Sequence, residues 1–156
     1  MPGRSTSLAQ TRPPTTSAPV GSWHIEDASE LNSLRSAARK AVHRWRRKNP
    51  GGSDDHLAEQ RLLLVVSELA TNALKYGSEP ISVDLHRVDD GWLVDTLDGN
   101  GTQPPVQYPP ERGRIGRNGL LIIERASTTW GWYRDPADDR LKHVWGIVPD
   151  PCPPDD

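Results

Sequence analysis

The sequence predicts an α+β fold, a two-layer sandwich in which helices pack on one face of a mixed, largely antiparallel sheet. Three observations predict it. Residues 27–48 and 55–77 repeat their apolar positions at helical spacing, and residues 81–97 and 130–148 each read as two alternating strands about a turn. A short third helix, residues 118–127, falls between the two strand pairs.

In the first helix Leu31, Leu34, Ala38, Ala41 or Val42, and Trp45 form the buried stripe, with Asp27 or Ser29 as the cap. Its other face carries Arg35, Arg39, Lys40, Arg44, Arg46, Arg47 and Lys48 with no acidic residue among them, and Asn49-Pro50-Gly51-Gly52 stops it. The second helix is capped by Ser53 or Asp54, buries Leu62, Val65 or Val66, Leu69 and Ala73, and ends at Gly77. Ile81, Val83 and Leu85 then alternate with polar residues, Asp90-Gly91 makes a hairpin turn, and residues 92–97 return. Residues 98–117 hold four prolines and four glycines and are expected to form no regular element; connections of such length are commonly functional. Residues 130–134 and 141–148 are the last two strands, around Asp135-Pro136.

With 156 residues the chain has room for one core. Residues 1–21, rich in Ser, Thr, Pro, Ala and Gly, read as a disordered leader, residues 22–148 as the folded domain, and residues 149–156 as a disordered tail. Only 34% of residues are apolar and Phe is absent, but six Trp supply large surfaces for burial. A net charge of −2 gives no global attraction to nucleic acid or anionic lipid. The lone Cys152 excludes an internal disulfide and a cysteine metal cluster. No apolar run approaches the roughly 20 residues of a membrane span, and none resembles a signal peptide, so a soluble, cytoplasmic protein is expected.

Candidate chemistry begins with Glu68 and Asn72, four apart and therefore on one helix face. A carboxamide oxygen binds Mg²⁺ without adding charge beside phosphates, and a carboxylate accepts a hydroxyl proton. Spacing alone is equally compatible with a solvated helix face. Lys75 offers a cation three residues beyond Asn72. Asp98-Gly99-Asn100-Gly101 follows a strand directly, placing an acceptor beside flexible backbone. Gly113-Arg114-Ile115-Gly116-Arg117-Asn118-Gly119-Leu120 opens a helix, where backbone amides favour an anion. Together the three segments outline a nucleotide site, although each alone also reads as ordinary turn or surface. The five histidines show no metal-ligand spacing, and Ser67 lies in no nucleophile-elbow motif.

The order and residues of these segments resemble the GHKL-type ATPases shared by DNA gyrase and bacterial histidine kinases. The likeness is greatest to their small members, the anti-sigma factor serine/threonine kinases of bacterial stress and sporulation switches and their actinobacterial relatives. It covers residues 34–148, and its most specific piece is Glu68-Leu69-Ala70-Thr71-Asn72-Ala73-Leu74-Lys75-Tyr76-Gly77, which looks like the family's N box. Leu34-Arg35-Ser36-Ala37-Ala38-Arg39 and Leu141-Lys142-His143-Val144-Trp145 resemble its first helix and last strand.

The resemblance implies the Bergerat-type ATP-binding fold, with ATP and Mg²⁺ as cofactors. It implies Asn72 as the magnesium ligand, Glu68 as general base, Asp98 as acceptor for the adenine amino group and Gly101 in the same pocket. Residues 103–117 would be a lid, with Gly116, Gly119 and Leu120 at its hinge, and Lys75 and Arg117 as further phosphate contacts. His143 stands where a hydroxyl residue often supports the adenine-binding aspartate. Implied partners are a sigma factor, an anti-sigma factor antagonist phosphorylated on serine, and a second copy of the chain. The sequence departs from the pattern at Asn100, in place of the first glycine of the adenine loop, at Asn118, in place of a hinge arginine, and at His143.

Two other readings stay open. A non-catalytic ATP-binding module that sequesters a sigma factor or other regulator needs the fold but not Glu68. The basic stretch of the first helix is compatible with a solvated face or a dock for an acidic partner; direct nucleic-acid binding is disfavoured because no aromatic interleaving or DNA-binding motif accompanies it.

Overall fold

A computed structural model describes residues 6–7, 9–14, 18–107 and 119–154. In chain order these form β1 (Thr6–Ser7), β2 (Gly21–Ile25), a 3-10 turn (Ala28–Glu30), α1 (Leu31–Lys48), α2 (His56–Tyr76), β3 (Ile81–Val88), β4 (Gly91–Asp98), β5 (Val106–Gln107), α3 (Gly119–Ala126), β6 (Thr129–Arg134) and β7 (Lys142–Pro149). Five strands make one sheet in the order β2-β3-β4-β7-β6. All its ladders are antiparallel, so the parallel component of the expected mixed sheet is not found among the described strands. The two-layer α+β sandwich itself is what the sequence predicts. Among the described residues no helix is long and apolar enough to cross a membrane.

Local chemistry sets the helix ends. Asp27 caps the 3-10 turn through the Ser29 amide (2.8 Å), and α1 continues from it. The Asn49 carboxamide closes α1 on the Trp45 carbonyl (2.8 Å), and Gly51, at φ +85°, takes the left-handed turn that a side chain resists. The cap of α2 is Asp55, which accepts from the Leu57 and Ala58 amides; Ser53 and Asp54, the expected caps, are not used. Ser53 instead hydrogen-bonds Asp150. The hairpin turn is Asp89-Asp90, with Gly91 already paired to Val88.

Leu62, Val65, Val66 and Leu69 of α2 are fully or nearly fully buried and pack with Leu34, Ala38 and Val42 of α1 and Ile123 of α3 against the inner sheet face. Burial of each large side chain stabilises the fold by about 1.5–3 kcal/mol. Val83, Leu85, Trp92, Val94, Val144 and Val148 supply that inner face, and Trp92 meets Trp45 edge-on at 5.3 Å.

Both ends of the expected domain differ from expectation. Gly21–Ile25 is an edge strand because its alternating Trp23 and Ile25 pair along β3, which moves the boundary into the supposed leader. Further upstream, the Thr11 amide donates to the Trp132 carbonyl (2.8 Å), the Gln10 side chain accepts from the Arg134 amide (3.0 Å), and the Thr11 carbonyl accepts from the Trp145 indole (2.7 Å). The first two of these bonds satisfy two backbone groups on the free edge of β6. β1 pairs with β5, so the long connection is not wholly without a regular element. At the other end Asp150, placed in the expected tail, is fully buried.

Candidate nucleotide site

The site is built where α2, the end of β4 and the start of α3 meet. Helix periodicity sends Leu62, Leu69 and Ala73 into the core and leaves Glu68 and Asn72 half-buried on the flank of α2. Neither makes a side-chain hydrogen bond or ion pair with another described residue. Their oxygens are therefore unclaimed among the described residues. Lys75 is exposed in the last turn of the same helix.

Asp98 is brought to this end of α2 by glycine. A Cβ at Gly77 would lie 2.6 Å from the Asp98 carboxyl carbon, so only a residue without a side chain lets β4 end against the helix terminus. The Gly99 amide donates to the Ser78 carbonyl (2.6 Å) and the Asn100 carboxamide to the Tyr76 carbonyl (3.2 Å), tying the loop to the helix end. Asn100 thus has a structural bond that a glycine at this position cannot make.

The Asp98 carboxylate, 2% exposed, accepts from the Asn100 amide (2.8 Å) and lies 3.6 Å from the Lys142 ammonium. Burial pushes its pKa up, against the opposing pull of the Asn100 and Ser78 amides and of Lys142. Lys142, itself buried, also donates to the Gln103 carbonyl (2.9 Å). Asp98 and Lys142 are opposed across β4 and β7, which fixes their meeting.

His143 is not in this site. Because strand side chains alternate, the inward Lys142 and Val144 place His143 on the opposite face of the sheet. There its Nδ1 meets Asp95 (3.0 Å), its Nε2 meets Asp135 (2.7 Å), and its ring stacks on Tyr133 at 4.4 Å between centroids. Burial works against the imidazolium, but hydrogen bonds and negative charge from Asp95 and Asp135 outweigh it and raise the His143 pKa. The bond from His143 lowers the Asp135 pKa, and burial together with the two carboxylates raises that of the Tyr133 phenol. The expectation that His143 supports Asp98 is corrected by strand parity, which gives that place to Lys142. The same alternation, with Val144 and Val148 inward, was readable in the sequence.

Gly101 is buried, and both its backbone groups are engaged. Its amide donates to the Arg140 carbonyl (2.9 Å), and its carbonyl accepts from the Arg134 guanidinium (2.7 Å). A Cβ here would come within 2.2 Å of the Asp139 carbonyl oxygen, so Gly101 locks the loop to the β6–β7 turn. Leu120, in the first turn of α3, packs into the core beside α2, and Gly119 begins that helix. Gly116, Arg117 and Asn118 lie outside the described residues.

The structure therefore brings Glu68, Asn72, Lys75, Asp98, Gly119 and Leu120 to one side of the sheet and sends His143 to the other. No family model matches the chain, and no curated protein matches it.

Proposed function

We propose that the protein binds Mg-ATP on the α2 side of the sheet and is an anti-sigma factor serine/threonine kinase of the GHKL type. The observation that supports this most is the half-buried Glu68 and Asn72 pair, without side-chain partners among the described residues, on the helix against whose end the buried Asp98 of β4 lies. Among the described residues no three His, Cys, Asp or Glu converge as metal ligands, so Asn72 would hold Mg²⁺ together with phosphate oxygens and water. The donor set fits: one neutral oxygen, one nearby carboxylate, and Lys75 for charge on the phosphates.

Bound Mg-ATP supplies the transferable phosphoryl group. Glu68 is the group that takes the proton from a partner's serine hydroxyl, and Asp98, anchored by the Asn100 amide, accepts from the adenine amino group. Positioning and charge neutralisation by these side chains carry most of the catalysis. The partners on this reading are a sigma factor and its antagonist, the latter being the phosphoacceptor, and the protein works as a homodimer in the cytoplasm.

The test is Mg-dependent ATP binding by calorimetry for wild type and Asn72→Ala, with phosphotransfer measured for Glu68→Gln. Binding lost in the first variant, and transfer lost with binding retained in the second, are the expected results. Wild type that binds no ATP would reject the reading. A second reading, a non-catalytic ATP-binding module that sequesters a regulator, needs the same site but not Glu68 as a base. ATP binding without transfer in wild type would select it.

A further inference from the structure

We propose that the outer surface of α1 and α2 is a docking face for an acidic amphipathic helix of a protein partner. Leu57, Arg61 and Leu64 follow one another at helical spacing along α2, and Leu57 is 60% and Leu64 44% exposed, whereas the neighbouring Leu62, Leu63, Val65 and Val66 are buried. Three contacts show how α1 lies along α2, on the flank that carries Glu59 and Ser67. Arg35 reaches Ser67 (3.4 Å), His43 reaches Glu59 (2.5 Å), and Arg46 reaches the Asp55 carbonyl (3.2 Å), so the helices run antiparallel. Arg39 and Arg47, each four residues from His43, are exposed on the α1 side of that seam. Neither they nor Arg61 form an ion pair among the described residues, and the Glu59 carboxylate is already held by His43 and His56.

Two leucines about two turns apart on α2 with the unpaired Arg61 between them, and Arg39 and Arg47 unpaired on the adjoining helix, ask for a complementary surface that is apolar along one line and acidic beside it. A helix provides it, since its own i and i+7 positions repeat at the same interval of roughly 10 Å. A second copy of this chain does not fit, because a symmetric contact here would set Arg39 and Arg47 against like charge. DNA rewards the arginines but not the leucines. The docking face is independent of the kinase reading, although Leu64 is one turn from Glu68, beside the site proposed above.

Fluorescence anisotropy with two synthetic helical peptides tests this. Both carry leucine at i, i+3 and i+7; one has glutamate and the other lysine at the flanking positions. The glutamate peptide should bind about tenfold or more tightly than the lysine peptide, weakening with salt. Leu57→Ser/Leu64→Ser and Arg39→Glu/Arg47→Glu should each weaken it about tenfold, with ATP binding and the melting temperature unchanged. The single variants Leu64→Ser and Arg47→Ala serve if a double variant does not fold, each expected to weaken binding. Binding that ignores the leucine variants would reduce the face to a polyanion contact and overturn the proposal. Tighter binding of duplex DNA or of phosphatidylglycerol vesicles than of the glutamate peptide would overturn it too. Absence of peptide binding in a protein that binds ATP would count against the docking face alone, and absence of ATP binding against the nucleotide site alone.

Discussion

Two buried aspartates sit at opposite ends of the sheet, and their surroundings differ in kind. Asp150, just beyond β7, is fully buried and has ion pairs with Arg46 and Arg87, each at 3.5 Å, the Trp92 indole at 2.8 Å and the Ser53 hydroxyl. Arg87 is stacked over Trp45 and Trp92, at 4.7 and 5.0 Å, so this cation is itself held in place. Asp98, at the far end of β4, has one ammonium at 3.6 Å and the Asn100 amide at 2.8 Å, and burial raises its pKa. A carboxylate with strong donors on every side is a structural clamp. One with a single longer-range cation, beside a glycine-bearing loop and the end of α2, retains capacity for a ligand donor.

Four substitutions break or sharpen that contrast. Asp150→Ala leaves Arg46 and Arg87 without their shared anion, and the loss of stability in urea denaturation should be the largest, about 3–5 kcal/mol. A loss below about 1 kcal/mol would mean the clamp is only surface-like. Asp98→Asn keeps an acceptor for the amides but loses the charge facing Lys142. Its stability cost should be about 1–2 kcal/mol, and ATP affinity by calorimetry should fall about tenfold or more. Unchanged affinity would make both aspartates structural.

Lys142→Met removes the one cation beside Asp98, and its effect should depend on pH. With its cation gone, the folded pKa of Asp98 rises further above its unfolded value. The protonated carboxyl is tolerated at low pH, and stability falls as pH rises through the folded pKa. Melting curves across pH should show the variant losing more relative to wild type at pH 8 than at pH 5. The smallest effect is expected from His143→Gln on the outer face. A raised folded pKa means that His143 contributes stability fully below its ordinary value near 6.5 and loses it as pH rises through the folded value. Wild type should therefore weaken over that interval while the variant stays flat. A parallel profile would show that the network with Asp95 and Asp135 does not hold the charge.

Comparing the two aspartates also separates what was readable from what was not. Asp98 stands out in the sequence because it ends an alternating strand and precedes Gly99-Asn100-Gly101, a local pattern. Asp150 sits among prolines in an apparent tail, and nothing within ten residues announces Arg46 or Arg87. The His143 assignment went astray for a related reason. The resemblance aligned it by position, whereas its face is set by strand parity relative to Val144 and Val148.

By itself the sequence determined the three helices, the two strand pairs, the buried stripe of α2 and the shared face of Glu68 and Asn72. Each of these is written in periodicities of 3.6 or 2 and in nearby capping or turn residues. Only the tertiary structure decided that Gly21–Ile25 is the fifth strand, that Thr11 and Gln10 bond to the edge of β6, that Lys142 lies opposite Asp98, and that Asp150 is a clamp. Those outcomes depend on which strand edge lacks partners and which buried charge lacks a counter-ion. Both are properties of segments far apart in sequence and adjacent only once the sheet has formed.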